Sequence, residues 1–458
     1  MSAKILGIDI GSVKVCAAMA EVNASGDVTI IAISCAESKG LKKGAITNIE
    51  LAASSISTAV NDVLRIAGTK YDKVVVSISG KDIKSLDAKS VINIPDKEVN
   101  LNQIERLMQD LCYRAKLEYE YEAIHVLPYN FKLDEQDNIE DPLGMSGARL
   151  EVEAQIITAN RASVVNLRKA IEKAGLKADN IVLCGYASSI STLNDDERQL
   201  GAVLIDMGGA TCNLVVHSGN SLRYNDFLGV GSASITTDLS SVLHTPISKA
   251  EEVKLKVGAL KREGSLIISL PDIGDETQSR DISIDTIIQV IFARVDETLR
   301  LLAEMLSRSE YAHLINAGVI LTGGMTKLES IREVASSVFD RMPVRIARPN
   351  DLDGLNERYK DPAYSCAIGL CLYGAGHFTP YEIDSERKMR YKGEEGIEPQ
   401  TNKLMMVEDF EEPPKESVVD PKDDLNIKIE SSNEHLPHKT KVMANPFSKV
   451  INMVKNLF

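Results

Sequence analysis

Residues 5–15 read Ile-Leu-Gly-Ile-Asp-Ile-Gly-Ser-Val-Lys-Val, and residues 203–215 answer them with Val-Leu-Ile-Asp-Met-Gly-Gly-Ala-Thr-Cys-Asn-Leu-Val. Each stretch is an apolar, β-branched run ending in Asp, then a glycine-rich turn with a hydroxyl residue, then a second apolar run. Such runs are the pattern of buried strands, and the short turn between them closes a hairpin. Two matched hairpins this far apart in one chain predict two similarly folded halves that face each other.

A third glycine signal, Leu321-Thr322-Gly323-Gly324-Met325, follows a predicted strand and precedes a predicted helix. Around these points the chain alternates. Val74–Ser79, Gln155–Thr158, Ala202–Asp206 and Val319–Thr322 read as buried strands, while 49–67, 100–117, 161–175, 286–307 and 327–339 carry apolar residues at helical spacing. That alternation predicts an α/β architecture with sheets covered by helices.

Glycine turns let backbone N–H groups approach phosphate oxygens, because no Cβ stands in the way. Gly11 and Ser12 supply such a turn in the first hairpin, with Lys14 as a local positive charge; Gly208, Gly209, Ala210 and Thr211 do so from the opposite side. Gly323, Gly324 and Met325 would bring backbone against a nucleoside or α-phosphate. Asp9 and Asp206, at the ends of their strands, face the gap and suit a magnesium ion held mostly through water, since that ion prefers oxygen ligands and dehydrates reluctantly. Any one of these motifs alone is an ordinary β-turn. Two matched hairpins followed by strand-Thr-Gly-Gly-helix point to a nucleotide, with Mg2+ as its expected companion.

The chain has 458 residues, 44% apolar and 26% charged, enough for two or three domains with a sizeable core. Its 52 Lys+Arg against 66 Asp+Glu give a net charge of −14, which repels phosphate backbones and argues against nucleic acid as a partner. The cysteines at 16, 35, 112, 184, 212, 366 and 371 include no CxxC pair, so zinc sites and a disulfide framework are not expected and reduced thiols fit best. The N-terminus lacks a secretory h-region, and no run of 18 apolar residues predicts a spanning helix.

Beyond residue 380 the texture changes. Residues 381–444 hold sixteen acids against ten bases with five scattered prolines, the composition of a disordered linker. At the end, Phe447, Val450, Ile451, Val454, Leu457 and Phe458 fall on one helical face, with Lys449 and Lys455 on the other. Asn445 suits the N-cap and Pro446 the first turn. A 14-residue amphipathic segment (445–458) with two lysines and no acid reads as an interfacial helix lying on anionic membrane lipids. The alternative, a terminal helix docked on its own body, must close a linker whose r.m.s. reach is roughly 45 Å.

The hairpins and the Thr-Gly-Gly signal resemble the ATPase superfamily of actin, heat-shock chaperones and sugar kinases. Within it the chain resembles the bacterial FtsA cell-division family through longer strings. These are Ser38-Lys39-Gly40-Leu41-Lys42-Lys43-Gly44, Ser77-Ile78-Ser79-Gly80-Lys81, Ile124-His125-Val126-Leu127-Pro128, Pro142-Leu143-Gly144-Met145-Ser146-Gly147-Ala148-Arg149-Leu150 and Asp195-Asp196-Glu197-Arg198-Gln199-Leu200-Gly201.

The resemblance implies an actin-like fold of two ribonuclease-H-like halves with an inserted subdomain. Residues 1–83, completed by about 365–380, would form the first core and 84–162 the insert. Residues 163–235 and 306–364 would form the second core, and 236–305 its smaller subdomain. It further implies an ATP-binding protein that polymerises on the cytoplasmic side of the cell membrane and tethers the C-terminal tail of FtsZ at the division site, where later division proteins join. Glu251 and Lys254 match the position where relatives contact the adenosine; an i,i+3 surface pair is the plainer reading. Arg294 and Glu297 match an Arg-x-x-Glu pattern on the FtsZ-facing helix, with a structural surface helix as the alternative. His125 and Pro128 are expected to be structural. Ala210 and Asn213 depart from the superfamily's usual glycine and acid, so at most slow hydrolysis is expected and no catalytic residue is assigned. A small-molecule kinase shares the phosphate turns, and a pilus-assembly or cell-shape scaffold shares more of the fold; neither accounts for the linker and terminal helix.

Overall fold

The computed structural model describes residues 2–258, 267–273, 275–340, 342–355, 357 and 359–391. The first hairpin pairs Ala3–Ile10 with Lys14–Val22 so that Asp9 lies opposite Cys16. Val28–Glu37 extends the antiparallel side, while Lys73–Ile78 and then Asn180–Leu183 add in parallel on the other. The second half repeats this order strand for strand. Ala202–Met207 pairs antiparallel with Cys212–Ser218 and Ser221–Leu228 beyond it, then parallel with Gly318–Thr322 and Val344–Ile346 on its other side. The internal echo of the sequence is therefore a repeat of whole sheets.

Between the sheets lie two helices that are buried all round. Cys184–Thr192 carries the chain from the first sheet onto the second, where Gly185 abuts Val215. Ser365–Gly374 returns it to the first, where a Cβ on Gly7 would stand 2.7 Å from the Ala367 carbonyl. They cross at Gly369, whose position leaves no room for a side chain: a Cβ there would fall 1.8 Å from the Ala187 carbonyl. The outer face of the first sheet is covered by Ile49–Ala67, capped by Asn48 and stopped at left-handed Gly68, and by Arg161–Lys173.

The insert has its own core. Ile83–Asn93, Arg149–Asn160, Tyr121–Leu133 and Gln136–Ile139 form an antiparallel sheet, and Leu101–Arg114 presses Ile104, Leu107, Met108 and Leu111 onto it. His125, with Pro128 on the same strand, is fully buried and accepts the Leu183 N–H at 3.2 Å.

Two expectations are corrected. Residues 381–391 belong to the folded body rather than to a linker starting at 381. Ile383 pairs with Val126, and Tyr381 and Ile383 fill the insert's core. Averaging composition over 64 residues hides these two apolar anchors. Cys16 and Cys35 are joined in a disulfide, because the antiparallel register sets them face to face on neighbouring strands with Cα atoms 4.1 Å apart. Spacing along the chain could not show that. The remainder of 381–444 and the whole amphipathic segment, with Phe447, Lys449, Val450, Ile451, Val454, Lys455, Leu457 and Phe458, lie outside the described residues.

Candidate functional site

The repeat brings the ends of both hairpins to one place. Gly11 sits where a Cβ would stand 2.7 Å from the Lys14 carbonyl, and Gly208 closes the opposite turn by donating to the Thr211 carbonyl at 2.8 Å. The turns touch: a Cβ on Gly209 would come within 2.4 Å of Val13. Ala210 and Thr211 complete the second turn, which is braced from below by Ser232 and Ala233 donating to the Gly208 and Gly209 carbonyls at 3.1 and 2.7 Å. Gly323, at φ +91°, packs against the Asp206 carboxylate and the Met207 backbone. Gly324 and Met325 follow it in a short 3-10 turn, with Met325 buried. All three glycine signals thus meet at one cleft.

Asp9 and Asp206 flank that cleft from the two sheets. Ser77 Oγ donates to Asp9 at 3.0 Å while accepting the Ile10 N–H at 2.8 Å. Ser188 Oγ donates to Asp206 at 2.5 Å. Burial holds both carboxyls above the usual range. For Asp9 it outweighs the Lys14 charge, and for Asp206, pushed up to about 6, it outweighs the Ser188 bond. Lys14 donates to the Ala363 carbonyl at 2.8 Å and lies over the Tyr364 ring; burial lowers its pKa against the pull of Asp9. Ser12 Oγ accepts the Gly44 N–H at 2.7 Å, which ties the first turn to the Lys43-Gly44 loop. The paired carboxylates are hard oxygen donors, a set that fits magnesium held largely through water.

Glu251 and Lys254 stand one turn apart on Ile247–Val257 and pair at 2.7 Å. Lys254 is buried, not solvated, and donates to Thr236 Oγ1 and to the Ser232 carbonyl beneath the second glycine turn. Arg294 and Glu297 lie on Ile284–Arg308. Arg294 makes a two-point contact with Asp238, at 2.6 and 3.0 Å, which fastens its helix to Ser232–Leu243, while Glu297 stays more exposed.

Sequence reasoning missed Ser77, Ser188, Cys184 and Cys366 around the two aspartates. Cys184 is the first residue of one central helix and Cys366 the second residue of the other. Neither sits in a motif; only the crossing of those helices puts them at the cleft floor.

Two facing halves of one repeated topology, with glycine turns meeting at the cleft between them, define an actin-like protein. The fold agrees with that of a solved type IV pilus biogenesis complex of PilM and PilN, with a TM-score of 0.57 at 17% identity over 81% of this chain and 98% of that one. Sequence is more specific. The family model described as cell division protein FtsA matches residues 203–369, and that of the SHS2 domain inserted in FtsA matches residues 80–158. Cell division protein FtsA of Helicobacter pylori is 38% identical over 419 residues, covering 84% of this chain and 85% of that protein; the Escherichia coli protein is 30% identical over 397 residues, with 84% and 93% covered. The chain belongs to the FtsA family of cell-division proteins.

Proposed function

We propose that the chain binds Mg–ATP in the cleft between its halves, polymerises as actin-like filaments on the cytoplasmic face of the cell membrane, and tethers FtsZ there through that protein's C-terminal tail. The observation that carries the reading is the convergence of the three glycine turns on Asp9, Asp206 and Lys14. Gly11–Ser12 and Gly208–Thr211 offer backbone to the β- and γ-phosphates from opposite sides. Gly323, Gly324 and Met325 lie toward the nucleoside, and Glu251 and Lys254 approach from beneath the second turn. Magnesium at Asp9 and Asp206 would neutralise phosphate charge. Asn213 accepts from Ser79 Oγ at 2.6 Å and is neutral, so it offers no carboxylate to activate water, in keeping with slow turnover at most.

The membrane limb rests on the terminal apolar stripe, read from sequence. One such helix binds weakly, and filament assembly multiplies the copies presented to one surface. For the FtsZ contact, Arg294 is committed to Asp238 and also pairs with Glu297 at 2.5 Å, so Glu297, the more exposed of the two, is the side a partner would reach first. The test is co-sedimentation with anionic vesicles, with and without ATP, of the full chain and of a truncation at residue 444. The full chain should pellet and carry FtsZ with it, more so with ATP, and the truncation should stay in solution. FtsZ left in the supernatant beside vesicle-bound protein would overturn the tether, and a truncation that still pellets would overturn the tail as anchor.

A further inference from the structure

The floor of the cleft carries two thiols that nucleotide binding does not use. Cys184 opens one central helix, Cys366 is the second residue of the other, and both are buried. Ligand atoms of Asp9, Cys184 and Cys366 all lie within 4.8 Å of one another. Cys184 Sγ is also 3.8 Å from Asp206 Oδ2, so a second carboxylate stands beside the group from the other sheet. We propose that Asp9, Cys184 and Cys366 form a site for a thiophilic divalent cation, zinc above all, with Asp206 beside it.

The geometry suits that chemistry. Three ligands come from three separate elements, two sulfurs and one oxygen, all within 4.8 Å of one another, and the cleft side leaves room for water as the fourth. A tetrahedral zinc with Zn–S near 2.3 Å and Zn–O near 2.0–2.2 Å places its ligand atoms about 3.5–3.8 Å apart. The three ligand atoms, within 4.8 Å of one another, reach that spacing by closing together about 1 Å. Magnesium demands six near-octahedral oxygens and gains nothing from thiols, whereas thiolates select zinc and its soft relatives. The cation enters from the cleft, where Asp9 is only partly buried, and displaces the two thiol protons to solvent as the Zn–S bonds form. The second coordination shell is in place: Ser77 and Ser188 orient the carboxylates, and Asn213 Nδ2 lies 3.6 Å from Cys184 Sγ.

The cation site stands without the nucleotide reading; a consequence that rests on that reading is competition. Asp9 cannot turn inward to zinc and outward to hydrated magnesium at once, so zinc lowers Mg–ATP affinity and nucleotide protects the thiols.

Cobalt(II) is the probe. The full chain, stripped with chelator and free of nucleotide, is titrated with cobalt and then with zinc. One equivalent should give thiolate-to-cobalt charge-transfer absorption that zinc abolishes. Cys184→Ser and Cys366→Ser should each remove the band and weaken metal binding at least tenfold, and Cys112→Ser, distant in the insert, should keep it. Circular dichroism establishes that each variant is folded. Absence of the band in the folded wild-type chain, or its survival in both floor variants, overturns the site. Mg–ATP binding without zinc is read on the same samples, so failure of the metal site and failure of the nucleotide site register separately.

Discussion

Gly323 holds its backbone at φ +91° directly against Asp206, so close that a Cβ would stand 2.4 Å from the carboxylate Oδ1 and 2.5 Å from the Met207 carbonyl. The third glycine signal therefore has a structural task. It sets where the second carboxylate can be. Gly323→Ala must either push Asp206 aside or open the strand pair, in a conformation that non-glycine residues rarely adopt. A stability loss of about 1–3 kcal/mol is expected from the backbone alone, with a fall in Mg–ATP affinity beyond it. Urea denaturation and calorimetric ATP titration measure the two separately. Full ATP affinity in the variant would mean that Asp206 is not held by this contact.

Asp206→Asn keeps the shape and the Ser188 hydrogen bond while removing the charge. Mg-dependent ATP affinity should fall at least tenfold, about 1.4 kcal/mol, while stability without ligand stays level or rises because a buried carboxylate is gone. Calorimetry with magnesium and with EDTA distinguishes loss of the ion from loss of the nucleotide. Equal affinity in both proteins would remove Asp206 from the site.

Gly369→Ala tests the joint between the halves. Its Cβ would overlap the Ala187 carbonyl, a backbone atom that no rotamer change can move. Parting the two central helices should cost about 1–3 kcal/mol as overpacking, seen as a lower thermal midpoint. An unchanged midpoint would show that the helices can separate freely.

What the sequence disclosed and what it hid divide along one physical line. The hairpins at Asp9 and Asp206, the Gly323 turn and the helix 49–67 depend on residues within a few positions, so periodicity, capping and turn chemistry display them. The Cys16–Cys35 bridge depends on strand register, the Arg294–Asp238 contact on helix packing, and the Cys184–Cys366 floor on a helix crossing that only a glycine permits. Each is a meeting of distant residues with no local signature. Tyr381 and Ile383 escaped for another reason: two anchors suffice to fold a polar segment onto an existing core, and average composition weighs them as noise.

The buried group where that segment rejoins the body gives a pH dependence. Glu382 accepts from the Tyr186 and Tyr373 hydroxyls at 2.9 and 2.5 Å, and burial pushes its carboxyl from 4.5 up to about 7 despite the nearby Arg390 charge. The folded chain therefore binds this proton more tightly than the unfolded chain does. Glu382's contribution is fully present below pH 4.5 and is lost as pH rises through about 7, which is worth up to about 3 kcal/mol. His125, 3.9 Å from Glu382, works in the opposite sense: burial lowers it to about 3, so its contribution is present above pH 6.5 and lost on acidification. Glu382→Gln is neutral at every pH and keeps an acceptor for the phenols. Because the His125 slope is common to both proteins, it largely cancels in the difference. Urea denaturation of both from pH 4.5 to 7.5 should show the variant gaining on the wild type as pH rises, by up to about 3 kcal/mol across that window. Parallel stability curves would mean that Glu382 titrates in the folded chain as it does in the unfolded one.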